Sequence, residues 1–347
     1  MESLRFILHL AAINGWDIQQ IDIKTAYLYG ELPVDETMYM EQPEGFAEPD
    51  KEDWVWQLQR GLYGMKQSGR IWNKTMNKAL LSWGFKRLLA DLCVYYRKTD
   101  AGIIITCVYV DDFIIAGSSS AICDAFKAQV RSLWNISDLG EASFCVGLAI
   151  SRSCADRTIS LSQTALIDRI ITTFDQTDAH PVSTPMDSNL CLRRPPPNSP
   201  LNPHEASLPY RSLVGSLMYF AVGTRPDISY SVSKLTQFLD CFCQAHWDAA
   251  IHIVRYLKGT RTLSLVLGGD QHINLIGFSD SSYADCIDTR RSSMGYCFSL
   301  GGAVFSWSSR KQKTVACSTC DAEYITVSKS CREAVWLRLF LNELGLL

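Results

Sequence analysis

Two strongly apolar runs, residues 103–109 and 113–116, are separated only by Val110-Asp111-Asp112, and this feature constrains the fold more than any other in the chain. Short isoleucine-rich runs meeting at a turn predict two strands of one antiparallel hairpin. Two ionised carboxylates side by side at such a junction repel each other unless a divalent cation stands between them. A turn in which both acids face water is the other reading, and it is the commoner fate of an Asp-Asp pair taken alone. Asp22 has a similar setting: it lies between Ile21 and Ile23 in a segment of strand character, residues 16–23, with Tyr27 five positions further on.

The remaining sequence can supply a core around these acids. With 347 residues, 47% hydrophobic and 20% charged, the composition excludes intrinsic disorder, collagen and coiled coil. Lysine plus arginine number 33 against 36 aspartates and glutamates, a net charge of −3, so binding to nucleic acid must rest on local patches. Residues 31–60 hold nine acids and two bases, whereas residues 61–100 hold eight bases and two acids. Lys66, Arg70, Lys74 and Lys78 recur every fourth position there. On the helix expected over 70–83 they form a drifting basic stripe, suited to a phosphate backbone or simply to solvent.

The longest apolar stretch, residues 103–110, falls short of the roughly 20 residues that span a bilayer. The amino end lacks the pattern of a secretory signal. The expectation is therefore an intracellular chain, in cytoplasm or nucleus, with no membrane contact. Thirteen cysteines without framework spacing are expected as small buried hydrophobes, and Cys317/Cys320 has no second pair to complete a zinc site.

Eight of the twelve prolines fall within residues 181–209, where an extended, solvated linker is expected (Pro181, Pro185, Pro195, Pro196, Pro197, Pro200, Pro203 and Pro209). Upstream, helices are expected over 3–14, closed by Asn14-Gly15, and over 120–134. Downstream, 210–257 reads as mostly helical, followed by strands at 274–279, 295–300 and 303–308 and a final helix over 319–344. A Gly301-Gly302 turn is expected between the last two strands.

Asp22-Ile23-Lys24-Thr25-Ala26-Tyr27-Leu28 and Tyr109-Val110-Asp111-Asp112 resemble the two metal-binding motifs of reverse transcriptases, in particular those of copia-type (Ty1/copia) LTR retrotransposon polyproteins. Gly61-Leu62-Tyr63-Gly64-Met65-Lys66-Gln67, Asp138-Leu139-Gly140-Glu141, Tyr210-Arg211-Ser212-Leu213-Val214-Gly215, Thr224-Arg225-Pro226-Asp227 and Arg255-Tyr256-Leu257-Lys258-Gly259-Thr260 also resemble blocks of that family. The resemblance implies an α+β chain with a right-hand polymerase palm lacking most of its fingers over 1–150. A thumb-like connecting region over 151–265 includes the linker, and a truncated ribonuclease H-like α/β domain occupies 266–347.

It further implies RNA-directed DNA synthesis with two Mg²⁺ or Mn²⁺ ions, Asp22 and Asp111 bridging them and Asp112 supporting one. Tyr27 is implied as the gate against a sugar 2′-hydroxyl, an ordinary core aromatic being its other reading. Nucleotide or template contacts are expected from Tyr63, Gly64, Lys66, Gln67, Arg70, Lys74, Lys78 and Tyr109. The family's usual Ala-Pro-Arg after Gln67 is here Ser68-Gly69-Arg70, which frees the turn.

Asp280 in Gly277-Phe278-Ser279-Asp280 and Glu323 in Ser318-Thr319-Cys320-Asp321-Ala322-Glu323 resemble two of the metal-binding carboxylates of the ribonuclease H domain. Ser282 stands where the family often has aspartate, and Asp321 also has the spacing of a helix cap after Ser318. The third carboxylate block of that family is expected beyond Leu347 and the fingers before Ser3. The chain then reads as an internal piece of a polyprotein whose partners are integrase and the remaining ribonuclease H. Expected ligands are RNA template, DNA primer, RNA–DNA hybrid and deoxynucleoside triphosphates, with little or no primer extension by these residues alone. The alternative is a degenerate or host-retained fragment that binds RNA–DNA hybrid without turnover.

Overall fold

Thirteen residues at the amino end form α1 (Glu2–Asn14), in which every side chain from Ser3 to Ile13 is buried. A helix that is apolar on all sides needs neighbours on all sides. It stops at Gly15, whose φ of 65° is the left-handed cap that a glycine reaches without steric cost. The computed structural model describes residues 1–33, 35–196, 203–269 and 274–346. These fall into two units that mix α and β structure, one continuous (Trp16–Ala142) and one assembled from Met1–Gly15 with Ser143–Leu347. Thus α1 belongs with the later residues, not with the strand that follows it.

The continuous unit holds β1 (Asp17–Ile23), β2 (Tyr39–Glu41), β3 (Val55–Gln57), α2 (Ser68–Ser82) and β4 (Lys86–Arg87). It continues with β5 (Val94–Thr99), β6 (Gly102–Tyr109), β7 (Asp112–Gly117), α3 (Ser120–Leu133) and β8 (Ile136–Glu141). Six of these strands form one sheet in the order β4-β5-β6-β7-β1-β8, with antiparallel pairing throughout, and β2 and β3 pair separately. Ile21 and Ile23 of β1 and Phe113 and Ile115 of β7 join Trp72 and Met76 of α2 and Phe126 and Val130 of α3 in one core. Strand alternation then sends Asp22 and Asp112, which are opposite one another, to the other face. The edge strand β8 was not expected, because Ile136-Ser137-Asp138-Leu139-Gly140-Glu141 has no apolar alternation. Asp138 there accepts from Lys127, a nearly buried lysine, at 2.7 Å.

The discontinuous unit adds β9 (Phe144–Cys145), β10 (Leu148–Ser153), β11 (Thr158–Ser162), α4 (Thr164–Thr173), α5 (Pro203–Ser207), α6 (Tyr210–Gly223), α7 (Ser229–Leu235) and α8 (Gln244–Gly259). After these come β12 (Leu265–Gly268), β13 (Leu275–Ser282), β14 (Ser293–Leu300), β15 (Ala303–Lys311) and α9 (Thr319–Glu343). One sheet has the order β12-β11-β10-β9 and another β13-β14-β15. Ile170, Leu213, Leu217, Val232, Ile253 and Leu257 pack α4, α6, α7 and α8 together. Two sequence blocks meet in that bundle: Arg225 donates to Asp227 at 2.7 Å and to the Thr260 hydroxyl at 2.6 Å, while the Tyr256 hydroxyl donates to Asp227 at 2.8 Å.

Residues 181–196 form neither helix nor strand, whereas Pro203 opens α5, so the expected linker is partly helical. Pro197 and Pro200 lie outside the described residues. Among the cysteines only Cys123, Cys145 and Cys286 are buried, contrary to the expectation of core packing for most of them. Among the described residues no helix is long and apolar enough to cross a membrane.

Candidate active site

Asp22 and Asp112 are direct cross-strand partners, and the Ile23 amide donates to the Asp111 carbonyl at 2.9 Å. The hairpin therefore delivers all three expected acids to the end of β1. Burial and the charges of Asp111 and Asp112 hold the Asp22 carboxyl above its usual range. Asp112 is oriented by Gln20, whose amide donates to it at 3.2 Å. Gln20 escaped the sequence reading, although it stands two residues before Asp22 and so shares its face.

The turn itself is strained. Val110 has a φ of 59°, a left-handed conformation that is unfavourable for a β-branched residue. Trp72, 2% exposed in α2, holds it there: its indole Nε1 donates to the Val110 carbonyl at 2.7 Å. The ring is wedged edge-on against Trp134 with centroids 5.0 Å apart. Trp72→Phe removes the donor together with part of the ring, costing about 0.5–1.5 kcal/mol for the lost hydrogen bond in addition to the packing it gives up. Hydrogen exchange should report faster exchange at the Ile23 amide than in the unaltered chain. Unchanged exchange there would show that the indole bond does not restrain the turn.

Tyr27 sits in a single 3-10 turn, Ala26–Tyr29, entered through Thr25 at φ 54°. Its ring meets that of Tyr63 at 4.7 Å. Burial first, then the charge of Asp111, raises the Tyr63 phenol above its ordinary range, which puts this aromatic pair beside the acids. Gly64 follows with a φ of 93° that favours glycine. Tyr109, at the end of β6, is exposed.

The basic residues are less uniform than their spacing suggests. Lys74 and Lys78 are exposed on α2. Lys66 precedes the helix, which starts at Ser68, so the helical stripe does not include it. Arg70 is already engaged, donating to Glu36 at 2.7 Å. Gln67 is the residue immediately before α2.

In the other unit, Asp280 lies exposed on β13, and Glu323 in α9 accepts from the next amide, Ser281, at 3.2 Å. These two carboxyl-bearing residues are thus neighbours. Asp321 acts as part of the cap: its amide donates to Ser318 Oγ at 3.1 Å, and its carboxylate accepts from the Cys317 amide at 2.9 Å. Among the described residues no group of three or more His, Cys, Asp or Glu is arranged to hold a metal ion. The carboxyls of Asp22, Asp111 and Asp112, brought to one end of β1, nevertheless fit the donor set a hard divalent cation takes, oxygen ligands of concentrated negative charge.

The profile of a family described as reverse transcriptase (RNA-dependent DNA polymerase) matches residues 1–188. The retrovirus-related Pol polyprotein from transposon TNT 1-94 of Nicotiana tabacum is 40% identical over the whole of this chain, which spans 26% of that polyprotein. The corresponding polyprotein from transposon RE2 of Arabidopsis thaliana is 33% identical over 99% of the chain, and 23% of its own length is covered. A putative transposon Ty5-1 protein of Saccharomyces cerevisiae is 36% identical over 90% of the chain and is covered completely. The chain belongs to the reverse transcriptase family, in the branch of copia-type retrotransposon polyproteins. It spans about a quarter of the length of the two plant polyproteins.

Proposed function

We propose that the unit Trp16–Ala142 is the palm of an RNA-directed DNA polymerase, in which Asp22, Asp111 and Asp112 hold two divalent ions, Mg²⁺ or Mn²⁺. Residues 151–265 take the role of thumb and connection, and β13, β14, β15 and α9 that of a ribonuclease H-like part with Asp280 and Glu323 as its acids. The observation that carries the reading is the convergence of Asp22, paired across the strands with Asp112, and the adjacent Asp111 inside the segment matched by the family. When bound, the metals would activate a primer hydroxyl and stabilise the departing oxygens of a triphosphate.

The residues of the chain supply the positioning. Gln20 and Trp72 fix Asp112 and the turn, the Tyr27–Tyr63 pair offers a ring surface to a sugar and base, and Gly64, Gln67 and Tyr109 border the incoming nucleotide or template. Exposed Lys66, Lys74 and Lys78 face the phosphates of an RNA template, DNA primer or their hybrid, while Arg70 serves mainly to hold Glu36. Deoxynucleoside triphosphates are the substrates, and integrase and other parts of a polyprotein are the partners. The second reading is a chain that binds hybrid without turnover.

Primer extension on an RNA template by the chain joined to the preceding fingers residues, measured beside hybrid affinity, separates the two. Extension supports the polymerase, binding without extension supports the rival, and neither would remove both. Replacing Lys74 and Lys78 together should reduce the slope of log affinity against log salt by about 1 to 2. An unchanged slope would make these lysines an ordinary solvated face.

A further inference from the structure

Against the middle of α9, strands β14 and β15 leave a cavity of about 250 Å³ that has no part in either carboxylate site. Tyr296 pairs with Ser308, and Met294 with Arg310, so these residues share one sheet face. Asp280 pairs with Gly295, which borders the cavity, but alternation sends the Asp280 side chain to the opposite face. Arg310 from β15 and Lys329 and Arg332 from α9 line the cavity together with Tyr296, Ser308 and Glu333. Some cations of this unit have carboxylate partners: Arg225 pairs with Asp227, Lys234 with Asp285, Arg194 with Asp240. Arg310, Lys329 and Arg332 have none within 4.0 Å among the described residues.

The carboxylates nearby are already engaged. Glu333 accepts from Ser306 at 2.7 Å, and Glu2 lies 3.7 Å from Arg5. Arg310 Nε is oriented by Ser308 Oγ at 2.9 Å, which leaves its terminal nitrogens available. Three cations facing one engaged carboxylate, with hydroxyls between them, form a field complementary to a compact dianion. The volume admits a phosphoryl group with a small substituent and excludes a base-paired duplex.

We propose that this cavity binds a phosphoryl dianion, supplied as free phosphate or as the 5′-phosphate terminus of a nucleic acid strand. The site is independent of the polymerase reading and survives its failure. Calorimetric titration of the full chain with inorganic phosphate, at constant ionic strength set with chloride, should show saturable binding. Lys329→Ala with Arg332→Ala, both at the helix surface, should weaken it by about tenfold or more, and Arg310→Ala alone should weaken it as well. Thermal denaturation of each variant checks that the fold persists.

A second arm compares a short single strand bearing a 5′-phosphate with the same strand ending in 5′-hydroxyl. Tighter binding of the phosphorylated strand, reversed by phosphate and absent from the double variant, supports the site with a strand end as source. Equal binding of the two strands alongside saturable phosphate binding supports it with free phosphate as source. Phosphate that binds no better than chloride, or that binds a folded double variant with unaltered affinity, overturns the proposal.

Discussion

Arg5→Met should remove about 3–5 kcal/mol from the stability of the unit formed by Met1–Gly15 and Ser143–Leu347. That is a large share of the roughly 5–15 kcal/mol that holds an ordinary domain folded. Arg5 is 1% exposed, and burial lowers its pKa to about 10, still far above neutrality. Its Nε donates to the Phe305 carbonyl at 2.6 Å, and Nη1 donates to the Val222 and Gly223 carbonyls at 2.6 and 2.9 Å. The guanidinium also lies 3.8 Å over the Trp307 ring. Methionine refills much of the volume but leaves three carbonyls without this donor and the ring without its cation. Arg5→Lys keeps the charge, loses the planar fork and should fall between. Thermal unfolding followed by far-UV circular dichroism tests this. A midpoint within a degree or two of the unaltered chain would mean that the buried guanidinium contributes little.

In a form of the chain joined to the preceding fingers residues, which restore extension, Asp111→Asn should lower primer extension by at least about a thousandfold while leaving hybrid affinity within about twofold. The substitution removes one negative charge from the group that raises Asp22, so the Asp22 carboxyl should return toward its ordinary range. In metal-free buffer at neutral pH the variant should therefore be slightly more stable than the unaltered chain, because a repulsion present in the folded state is relieved. The sign follows from the raised folded pKa: this repulsion opposes folding above the carboxylate range and vanishes below it, where Asp22 is protonated in both states. Mn²⁺ should raise the melting temperature of the unaltered chain more than that of the variant. Full extension by the variant would eliminate Asp111 as a metal-holding residue.

The acids could be read from sequence because an aspartate inside an isoleucine-rich strand conflicts with its surroundings, and such conflicts usually have a cause. The supports of those acids could not. Trp72 resembles any aromatic on an amphipathic helix and Gln20 any polar residue on a strand, and their partners lie 38 and 92 residues away. Helix α2 was expected from its pattern, but that pattern could not show that Arg70 would find Glu36. The sheet β9–β12 was missed since its short strands are split between residues 144–162 and 265–268. The extent of α1 was plain from its apolar run and the Asn14-Gly15 stop, while its choice of neighbours was not, since helix periodicity carries no address.

That choice has a consequence for synthesis. Phe6 packs against Phe305 and Phe340 at ring separations of 5.4 and 5.0 Å, so part of the first helix's core is encoded near the end of the chain. On a ribosome adding roughly 5–20 residues per second, α1 waits on the order of ten seconds or more, its apolar sides uncovered, while those partners are made. The intervening unit needs no such delay. Its entry and exit meet where the Ala142 amide donates to the Ile18 carbonyl at 3.0 Å, and every strand of its six-stranded sheet has been made by then. During translation the segment carrying Asp22, Asp111 and Asp112 can thus close first, and the helix that emerged before it folds last.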